Sequence, residues 1–472
     1  MVTASSIIMN RSLIMVFMRM PVQHHIRTRS VPPSCSKDFN REWFITMKRV
    51  LLCVLVIALT APTIQATENV DISVAIYFSS VRRFAEEIEE PLQYSWTHEG
   101  ATYTITPYII SKREVLEGKL SSYDILVIPG SGRHYLDALN PRWRSAVISF
   151  VENGGGYLGI CGGANLASMG FQEPLSPNTL LNRSVLKIAN VYVNDEQGEE
   201  WQYLWRSNWR YGGLPLNVSI PQNDNPIFGG LYGDLRSIRY WGGPGMYDAG
   251  KEDARLGPVT PLAIYAEEPM DVAPLHYWKW EGGTAVPARN ITTDIRGQYA
   301  AIATTYGNGR VVLFGPHPER NTFFDGHVEE FPVRPKLAPF TWFIYNWVSD
   351  NASVISYNWW MLRRSVAWLA GYDMPPISEI AAHIEEPAYG LYIYGRKVIP
   401  SQHALVIGPL TITGVLVDAE EGGVYIDGEL AYEGTGNVEI SIHLVPGIHC
   451  IKMTAQRGNE AAWGERTIIS LG

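Results

Sequence analysis

The segment around Cys161 carries the residues best suited to chemistry. Residues 154–168 read GGGYLGICGGANLAS, in which a short apolar strand runs into a cysteine, two glycines follow and a helix begins. This strand–turn–helix order is that of a nucleophile elbow, where glycines leave room for a strained nucleophile and its substrate. The start of the helix favours the thiolate, and backbone N–H groups near Gly162 suit a developing oxyanion. The alternative is a buried cysteine in a glycine-rich turn.

A second segment supplies the partners that a cysteine nucleophile needs. The strand predicted at 310–314 runs into GPHPE, which places His317 and Glu319 at its carboxyl end. A thiol needs a base to take its proton, and the base needs an acceptor that orients its ring. His317 fits the first role and Glu319 the second. By itself, a His-Pro-Glu triplet is more often a surface turn.

Other polar and aromatic residues are weaker candidates for binding. Arg133 and His134 follow a glycine loop and face either the pocket or solvent. A Trp-rich loop at 201–211 either binds a sugar or peptide or forms a hydrophobic cover over an inserted segment. The sequence shows no His, Cys and Asp cluster with metal-ligand spacing and no phosphate-binding glycine loop. We therefore expect neither a metal nor a cofactor.

The elements that position these residues alternate between strands and helices. Strands are predicted at 70–78, 102–110, 123–129, 157–160 and 310–314. Helices are predicted at 80–94, 111–120 and 142–153. Strands that alternate with helices imply right-handed crossovers and a mostly parallel sheet flanked by helices, which is the α/β class.

The pattern changes between about residues 185 and 300. Strands separated by loops rich in Gly, Pro, Asn and Trp are predicted at 186–193, 215–220, 259–266 and 298–307. They form either an insertion or the far side of the sheet. Gly307-Asn308-Gly309 predicts a hairpin, because these small residues tolerate positive φ. A helix is predicted at 352–370, and Gly371 ends it.

Residues from about 379 onward consist of short alternating segments with turns between them. No helix is predicted there, and the pattern indicates an all-β sandwich. The segments YIDGELAYEG and GIHCIKMTAQRGN resemble the immunoglobulin-like modules of secreted microbial proteins. Such a module implies contact with the cell envelope. We expect residues 379–472 to fold independently of the region that precedes Pro375-Pro376.

The N-terminal residues predict secretion. Lys48 and Arg49 precede an apolar run at 50–61, and Ala66 ends a signal-peptide cleavage site. The run is shorter than the about 20 residues that span a bilayer. We expect residues 1–46 to be an over-extended start, 47–66 a signal peptide, and the mature protein to begin near Thr67. The alternative is a genuine N-terminal membrane anchor.

Cysteine usage and composition restrict the function further. Cleavage after Ala66 leaves Cys161 and Cys450, which we expect to be two lone thiols rather than one bridge. Hydrophobic residues make up 46% and charged residues 18%, the balance of a globular protein. A net charge of -9 without basic runs disfavours nucleic acid as a partner. The length of 472 residues favours two domains, expected at 67–373 and 379–472.

Four segments together resemble the class I glutamine amidotransferase superfamily. More closely, they resemble the N-terminal domain of some eukaryotic biotin–protein ligases. In the family's order they read IPGSGRHY, FVENGGGYLGICGGANLAS, YWGGPGMY and GRVVLFGPHPE, within about residues 70–370. The resemblance implies a flavodoxin-like α/β fold. The biotin ligase catalytic domain is absent from the sequence, so biotin transfer is not expected.

The resemblance also implies roles for individual residues. It implies a catalytic triad of Cys161, His317 and Glu319. It implies backbone oxyanion donors at Gly130, Ser131 and Gly162. Weaker substrate contacts are expected at Arg133, His134, Asn165 and Tyr240.

One departure from the family changes the expected reaction. Glutamine-using members carry Gln four residues after the nucleophile, where this chain has Asn165. We therefore expect an extracytoplasmic cysteine hydrolase of the amidase kind, acting on a small molecule, a peptide or a glycan. The alternative is a non-catalytic ligand-binding protein of the cell envelope that retains an amidotransferase-like pocket.

Overall fold

The computed structural model describes most of the chain beyond residue 67. The described residues are 68–79, 82–172, 179–194, 213–221, 225–229, 235–274, 276–290, 292–333, 341–401 and 403–472. They belong to one compact unit, Thr67–Gly472. The predicted signal peptide, the residues before it and the Trp-rich loop lie outside the described residues. Among the helices in the described ranges, none has the length and apolar character that crossing a membrane requires.

The first part of this unit mixes strands and helices. Its strands are β1 Glu68–Phe78, β2 Tyr94–His98, β3 Ala101–Ser111, β4 Ile125–Ile128, β5 Gly156–Ile160, β6 Val191–Val193, β7 Leu214–Ser219, β8 Leu235–Tyr240, β9 Met246–Asp248, β10 Thr260–Tyr265, β11 His276–Glu281, β12 Thr284–Asn290, β13 Tyr299–Tyr306, β14 Gly309–Phe314, β15 Phe323–Val333 and β16 Thr341–Ala352. Its helices are α1 Arg83–Leu92, α2 Lys112–Leu116, α3 His134–Ala138, α4 Pro141–Glu152, α5 Gly162–Ala167, α6 Thr179–Ser184, α7 Pro269–Val272 and α8 Trp359–Ala370, with a short 3-10 helix at Lys119–Ser122.

A parallel sheet lies at the centre of this part, with strand order β3-β1-β4-β5-β14. Side chains of β1 alternate between its two faces. Val74 and Ile76 pack in one buried cluster with α1 and α8, whereas Ala75 and Tyr77 pack in another with α4 and α5. Helices therefore cover both faces, which is why the apolar runs of these strands are nearly continuous. The predicted α/β class is confirmed.

The sheet continues beyond β14 with antiparallel neighbours, in the order β13, β10, β7 and β8. Gly307 and Asn308 form the predicted hairpin turn between β13 and β14, with φ of Gly307 at 58°. A two-residue turn can join only antiparallel strands. The prediction of a mostly parallel sheet is therefore corrected to a mixed one, and the segments between residues 185 and 300 extend its far side.

One predicted helix begins later than expected. The helix predicted at 352–370 starts at Trp359, because β16 continues to Ala352 and pairs there with Phe323 of β15. The helix ends as predicted, since Gly371 takes the left-handed conformation at φ 80°. A similar shortening affects the strand predicted at 186–193, of which the structure keeps Val191–Val193.

The second part of the unit consists of strands and turns over its described residues. The strands are β17 Ala381–Glu386, β18 Gly390–Ile393, β19 Arg396–Ile399, β20 Ala404–Ile407, β21 Leu410–Val417, β22 Glu421–Ile426, β23 Glu429–Glu433, β24 Gly436–Ile442, β25 Gly447–Arg457 and β26 Glu460–Ser470. One sheet holds β17, β21 and β24, and the remaining strands pair around β25 and β26. Alternate residues of β21 are buried, as a strand with one core face requires. That the module is immunoglobulin-like stays a prediction.

Strand pairing joins the two parts. The unpredicted strand β2 pairs with β3 on one side and with β26 on the other, both antiparallel. The Tyr94 hydroxyl in β2 donates to Glu460 Oε1 of β26 at 2.5 Å. The guanidinium of Arg363, which is buried in α8, donates to the carbonyl of Ile380 at 2.8 Å. Independent folding of residues 379–472 stays a prediction, and the two parts share a hydrogen-bonded sheet.

Candidate active site

Cys161 lies at the turn between β5 and α5. Its backbone has φ 51° and ψ −106°, a conformation that is costly for a residue with a Cβ atom and that persists at functional sites. The amide of Cys161 donates to the carbonyl of Phe314 at 2.7 Å, which fixes the turn to β14. The residue is 7% exposed. This strand–turn–helix geometry is the one predicted from the glycines around the cysteine.

Glycines bring three chain segments into contact at this turn. A Cβ atom on Gly162 would lie 2.6 Å from the carbonyl oxygen of Ser131 and 2.8 Å from its amide nitrogen. A Cβ atom on Gly130 would lie 2.6 Å from Cε1 of His317 and 3.1 Å from Cβ of Cys161. Side chains at either position are excluded by sterics. The loop after β4, the cysteine turn and the loop after β14 therefore meet at the carboxyl ends of parallel strands.

His317 and Glu319 form a buried pair beside Cys161. Nδ1 of His317 lies 2.7 Å from Oε1 of Glu319, and the side chains are 5% and 4% exposed. The backbone of the loop is held as well. The His317 amide donates to the carbonyl of Arg239 at 2.7 Å, and the indole of Trp359 donates to the carbonyl of Glu319 at 2.9 Å.

The electrostatics of the pair favour the charged forms. Burial lowers the pKa of His317, but the charges of Glu319 and Cys161, with hydrogen bonding to both, outweigh it and raise that pKa to about 9. Burial raises the pKa of Glu319, but the charge and hydrogen bond of His317 and the charge of Arg320 bring the pKa below its ordinary value. The carboxylate therefore orients the ring through Nδ1.

The second ring nitrogen of His317 is available for proton transfer. Within the described residues, Nε2 has no partner at ordinary hydrogen-bond geometry. The Cys161 thiol is nevertheless close enough to raise the pKa of the ring. The two groups thus stand as a loosely aligned donor and acceptor.

The weaker site candidates have different surroundings. Arg133 is exposed at the start of α3. His134 is 2% exposed, its ring packs edge-on against Tyr77, and burial lowers its pKa to about 4. Tyr240 has no exposed surface and packs at 90° against Tyr265. His134 and Tyr240 therefore occupy core positions, because each lies on the inward face of its element.

Asn165 lies one helical turn after Cys161 and is 5% exposed. Its amide Nδ2 donates to the hydroxyl of Tyr135 at 3.0 Å. Burial and the charge of Cys161 raise the pKa of Tyr135. Tyr135 was not singled out in the sequence, although it ends the quoted segment IPGSGRHY. The spacing of aromatic residues gave no sign that this one lies at the site.

Sequence reasoning missed three further residues near the pair, which are Trp241, Arg239 and Arg320. The carbonyl of Trp241 lies 3.9 Å from the Cys161 sulfur, and its ring centroid lies 6.3 Å from that of His317. Arg239 is 3% exposed, and burial with the charge of Arg320 lowers its pKa to about 9. The only available signal was position, since Trp241 belongs to the quoted segment YWGGPGMY. Among the described residues, no cluster of His, Cys, Asp or Glu has the geometry of a metal site.

Comparisons with known proteins give one family match. Residues 91–177 match the family described as "Biotin-protein ligase, N terminal". The match includes Gly130, Ser131, Cys161 and Asn165, whereas His317 and Glu319 lie outside it. No curated protein matches the chain.

Several solved structures have low similarity to the chain. PurLQS from Thermotoga maritima is 15% identical, with a TM-score of 0.30 over 53% of this chain and 88% of that one. A ThuA-like protein from Bacteroides uniformis ATCC 8492 is 15% identical, with a TM-score of 0.30 over 56% and 89%. A beta-galactosidase from Bacillus circulans sp. alkalophilus is 12% identical, with a TM-score of 0.31 over 84% and 41%. These TM-scores are too low to infer a shared fold.

Proposed function

We propose that the protein is a cysteine-dependent hydrolase of amide or related acyl bonds. Cys161 is the nucleophile, His317 the general base and acid, and Glu319 the residue that orients His317. The observation that carries the proposal is the 2.7 Å contact between Nδ1 of His317 and Glu319, which leaves Nε2 for the adjacent thiol. A base oriented by a third group is the arrangement that activates a thiol.

The proposed reaction has two halves. Cys161 passes its proton to Nε2 of His317, and the sulfur attacks the substrate carbonyl carbon to form a tetrahedral oxyanion. The carbon–nitrogen bond then breaks, His317 gives the proton to the leaving nitrogen, and a thioester remains on Cys161. Water gives a proton to Nε2 as its oxygen attacks the thioester carbon, and the proton returns to sulfur when the carboxylic acid leaves.

The donors proposed for the oxyanion are backbone amides. The Ser131 amide nitrogen would be 2.8 Å from a Cβ atom placed on Gly162, so the Gly162 and Ser131 segments are in direct contact beside the nucleophile. Backbone donors that are fixed in advance stabilise the charge that develops in the transition state. The proposal therefore assigns this role to the Gly130-Ser131 loop and Gly162.

Glutamine amidotransfer is not part of the proposal. The residue four positions after the nucleophile is Asn165, and its amide is engaged with Tyr135 at 3.0 Å. We also propose, from the predicted signal peptide at 47–66, that the enzyme acts outside the cytoplasm. A small molecule, a peptide or a glycan remains the proposed class of substrate.

An acylation experiment tests the proposal. The full chain is mixed with p-nitrophenyl acetate, nitrophenolate release is followed, and the acetylated peptide is identified by mass spectrometry. We expect a burst of release and a thioester on Cys161. Cys161→Ala should abolish the burst, whereas the matched variant Cys450→Ala should keep it. A wild-type protein with no acylation of Cys161 would contradict the proposal and favour a ligand-binding protein.

A further inference from the structure

Helix α1 contacts the loop of the catalytic pair at one point and the C-terminal β-sandwich at another. We propose that the β-sandwich positions the triad through this helix, with Glu87 and Arg320 as the positioning residues. The inference rests on the proposed function, because it assumes that Cys161 and His317 react together. It concerns how the site is held, not which substrate enters it.

On the triad side, Arg320 connects the helix to Glu319. Its Nη2 donates to Oε2 of Glu87 at 2.6 Å, and its Nε lies 3.8 Å from Oε1 of Glu319. The guanidinium lies over the ring of Trp241, 4.6 Å from the centroid, and the side chain is 9% exposed. A guanidinium this shielded from water is held where its carboxylate partners place it. Glu87 therefore fixes the cation that sits behind Glu319.

On the sandwich side, the end of the same helix is attached at several points. Oε1 of Glu90 lies 2.6 Å from Nδ1 of His383 in β17. The amide of Trp463 in β26 donates to the carbonyl of Gln93 at 3.1 Å. Arg363 donates to the carbonyl of Pro91 at 2.9 Å and also to Ile380, at the entrance to β17. The β-sandwich therefore determines the position of the helix end.

Glu87 and Glu90 are three residues apart, so they are neighbours on the surface of one helix. The helix is ten residues or about 15 Å long, and Glu87 and Glu90 lie less than one turn apart in it, before the Pro91 near its end. A shift of the β-sandwich is thus transmitted to Glu87 and then to Arg320. If Glu87 no longer holds Arg320, the guanidinium moves toward Glu319 and competes with His317 for the same carboxylate oxygen.

The expected consequence is a change in the pH dependence of Cys161. The charged groups near His317 are Cys161, Glu319 and Arg320, and Arg239 and Glu87 lie behind them. Without the Glu87 carboxylate, the net charge around His317 is more positive. The Glu319 carboxylate then interacts with both Arg320 and the His317 imidazolium. The imidazolium is then less stable, so it supports the thiolate over a narrower range of pH.

The test is the rate of Cys161 alkylation by iodoacetamide from pH 5 to 10 in the full chain. We expect Glu87→Gln to raise the midpoint pH of the Cys161 alkylation profile and to slow alkylation at pH 6 by about fivefold. Glu87→Asp should restore part of the wild-type rate. The matched control is Glu86→Gln, which removes the i,i+4 partner of the exposed Arg82 at the start of the same helix and should leave the midpoint unchanged.

A second pair of variants tests the β-sandwich. Glu90→Gln and His383→Gln should shift the midpoint in the same direction as Glu87→Gln, but less. A wild-type midpoint in both would overturn the role of the β-sandwich, and a wild-type midpoint in Glu87→Gln would overturn the whole inference. If Cys161 in the His317→Ala variant is also alkylated at the wild-type rate, the proposed function fails too. If His317→Ala is slow while Glu87→Gln is normal, the inference alone fails.

Discussion

Within the part of the chain that the structure describes, a cysteine, a histidine and a carboxylate come together at two places. The first, at the carboxyl ends of parallel strands, consists of Cys161, His317 and Glu319. The second, in the C-terminal β-sandwich, consists of Cys450, His449 and Asp427. The residue types match, and in both places the histidine lies 2.7 Å from its carboxylate.

The free ring nitrogen distinguishes the two groups. In the second group Nδ1 of His449 contacts Asp427, and Nε2 lies 2.8 Å from the carbonyl of Val445, so neither nitrogen can take a proton from a thiol. His449 and Cys450 are also consecutive in a strand, so their side chains point to opposite faces. Partial burial and the charge of Glu465 raise the pKa of Cys450. Composition alone therefore does not make a catalytic group, because the second ring nitrogen must remain available.

The largest expected effect is on acylation by p-nitrophenyl acetate. His317→Ala should slow acylation of Cys161 by about 100-fold or more, because the thiol loses its base. The matched variant His449→Ala should acylate at the wild-type rate. Stopped-flow release of nitrophenolate gives both rates. An equal loss of acylation rate in His317→Ala and His449→Ala would contradict the difference described between the Cys161 and Cys450 groups.

The sequence predicts only part of the difference between the Cys161 group and the Cys450 group. The strand–turn–helix pattern around Cys161 and the strand before His317 are local, so periodicity and glycine placement predicted both. The contacts of His449 were not predicted, because its partners Asp427 and Val445 lie on separate turns of the β-sandwich. Nothing in the alternation of β25 indicates them.

Pairing between strands that are far apart in the sequence is the part of the fold that the sequence predicts least. Strand β2 pairs with β26, and Tyr94 contacts Glu460 across 366 positions of sequence. Local patterns give no partner for such a strand, so the attachment of α1 to the β-sandwich was not foreseen. His134 and Tyr240 show the same limit, because the tertiary packing of α3 and β8 turns both side chains into the core.

Glycine substitutions provide the next effect in size. Gly162→Ala places a Cβ atom 2.6 Å from the backbone oxygen of Ser131, so we expect a loss of about 2–4 kcal/mol in unfolding free energy. The burst of Cys161 acylation should also be lost.

The control is Gly428→Ala, beside Asp427. Its Cβ atom meets no atom within 4 Å, so it carries only the cost of its φ of 90°, about 1 kcal/mol. Urea unfolding of both variants measures the difference. A Gly162→Ala variant as stable and reactive as wild type would refute the packing described around Cys161.

The smallest expected effect is on the pH dependence of stability. The pKa is raised from 6.5 to about 9 for His317, and it is also raised for His449 by Asp427 and the Val445 carbonyl. A raised pKa means that the folded state holds the proton, so this stabilisation is complete below pH 6.5 and is lost as the pH rises through the folded pKa. The melting temperature of wild type should fall between pH 6.5 and 9. Both His317→Gln and His449→Gln should reduce this decrease in melting temperature. The effect of His449→Gln should be smaller, because Asp427 is half exposed. An unchanged slope in His317→Gln would contradict the charged state assigned to the buried pair.

The most direct test of the central claim compares the two cysteines in one sample. Iodoacetamide is added to the full chain at neutral pH, and alkylation of Cys161 and Cys450 is followed by peptide mass spectrometry. Exposure alone would make Cys450 react first, since Cys161 is 7% exposed and Cys450 lies on the surface. We predict the reverse, with Cys161 faster by about tenfold or more. His317→Ala should slow Cys161 strongly and Glu319→Gln less, in variants shown to be folded. Equal rates for the two cysteines, or no effect of His317→Ala, would contradict the account.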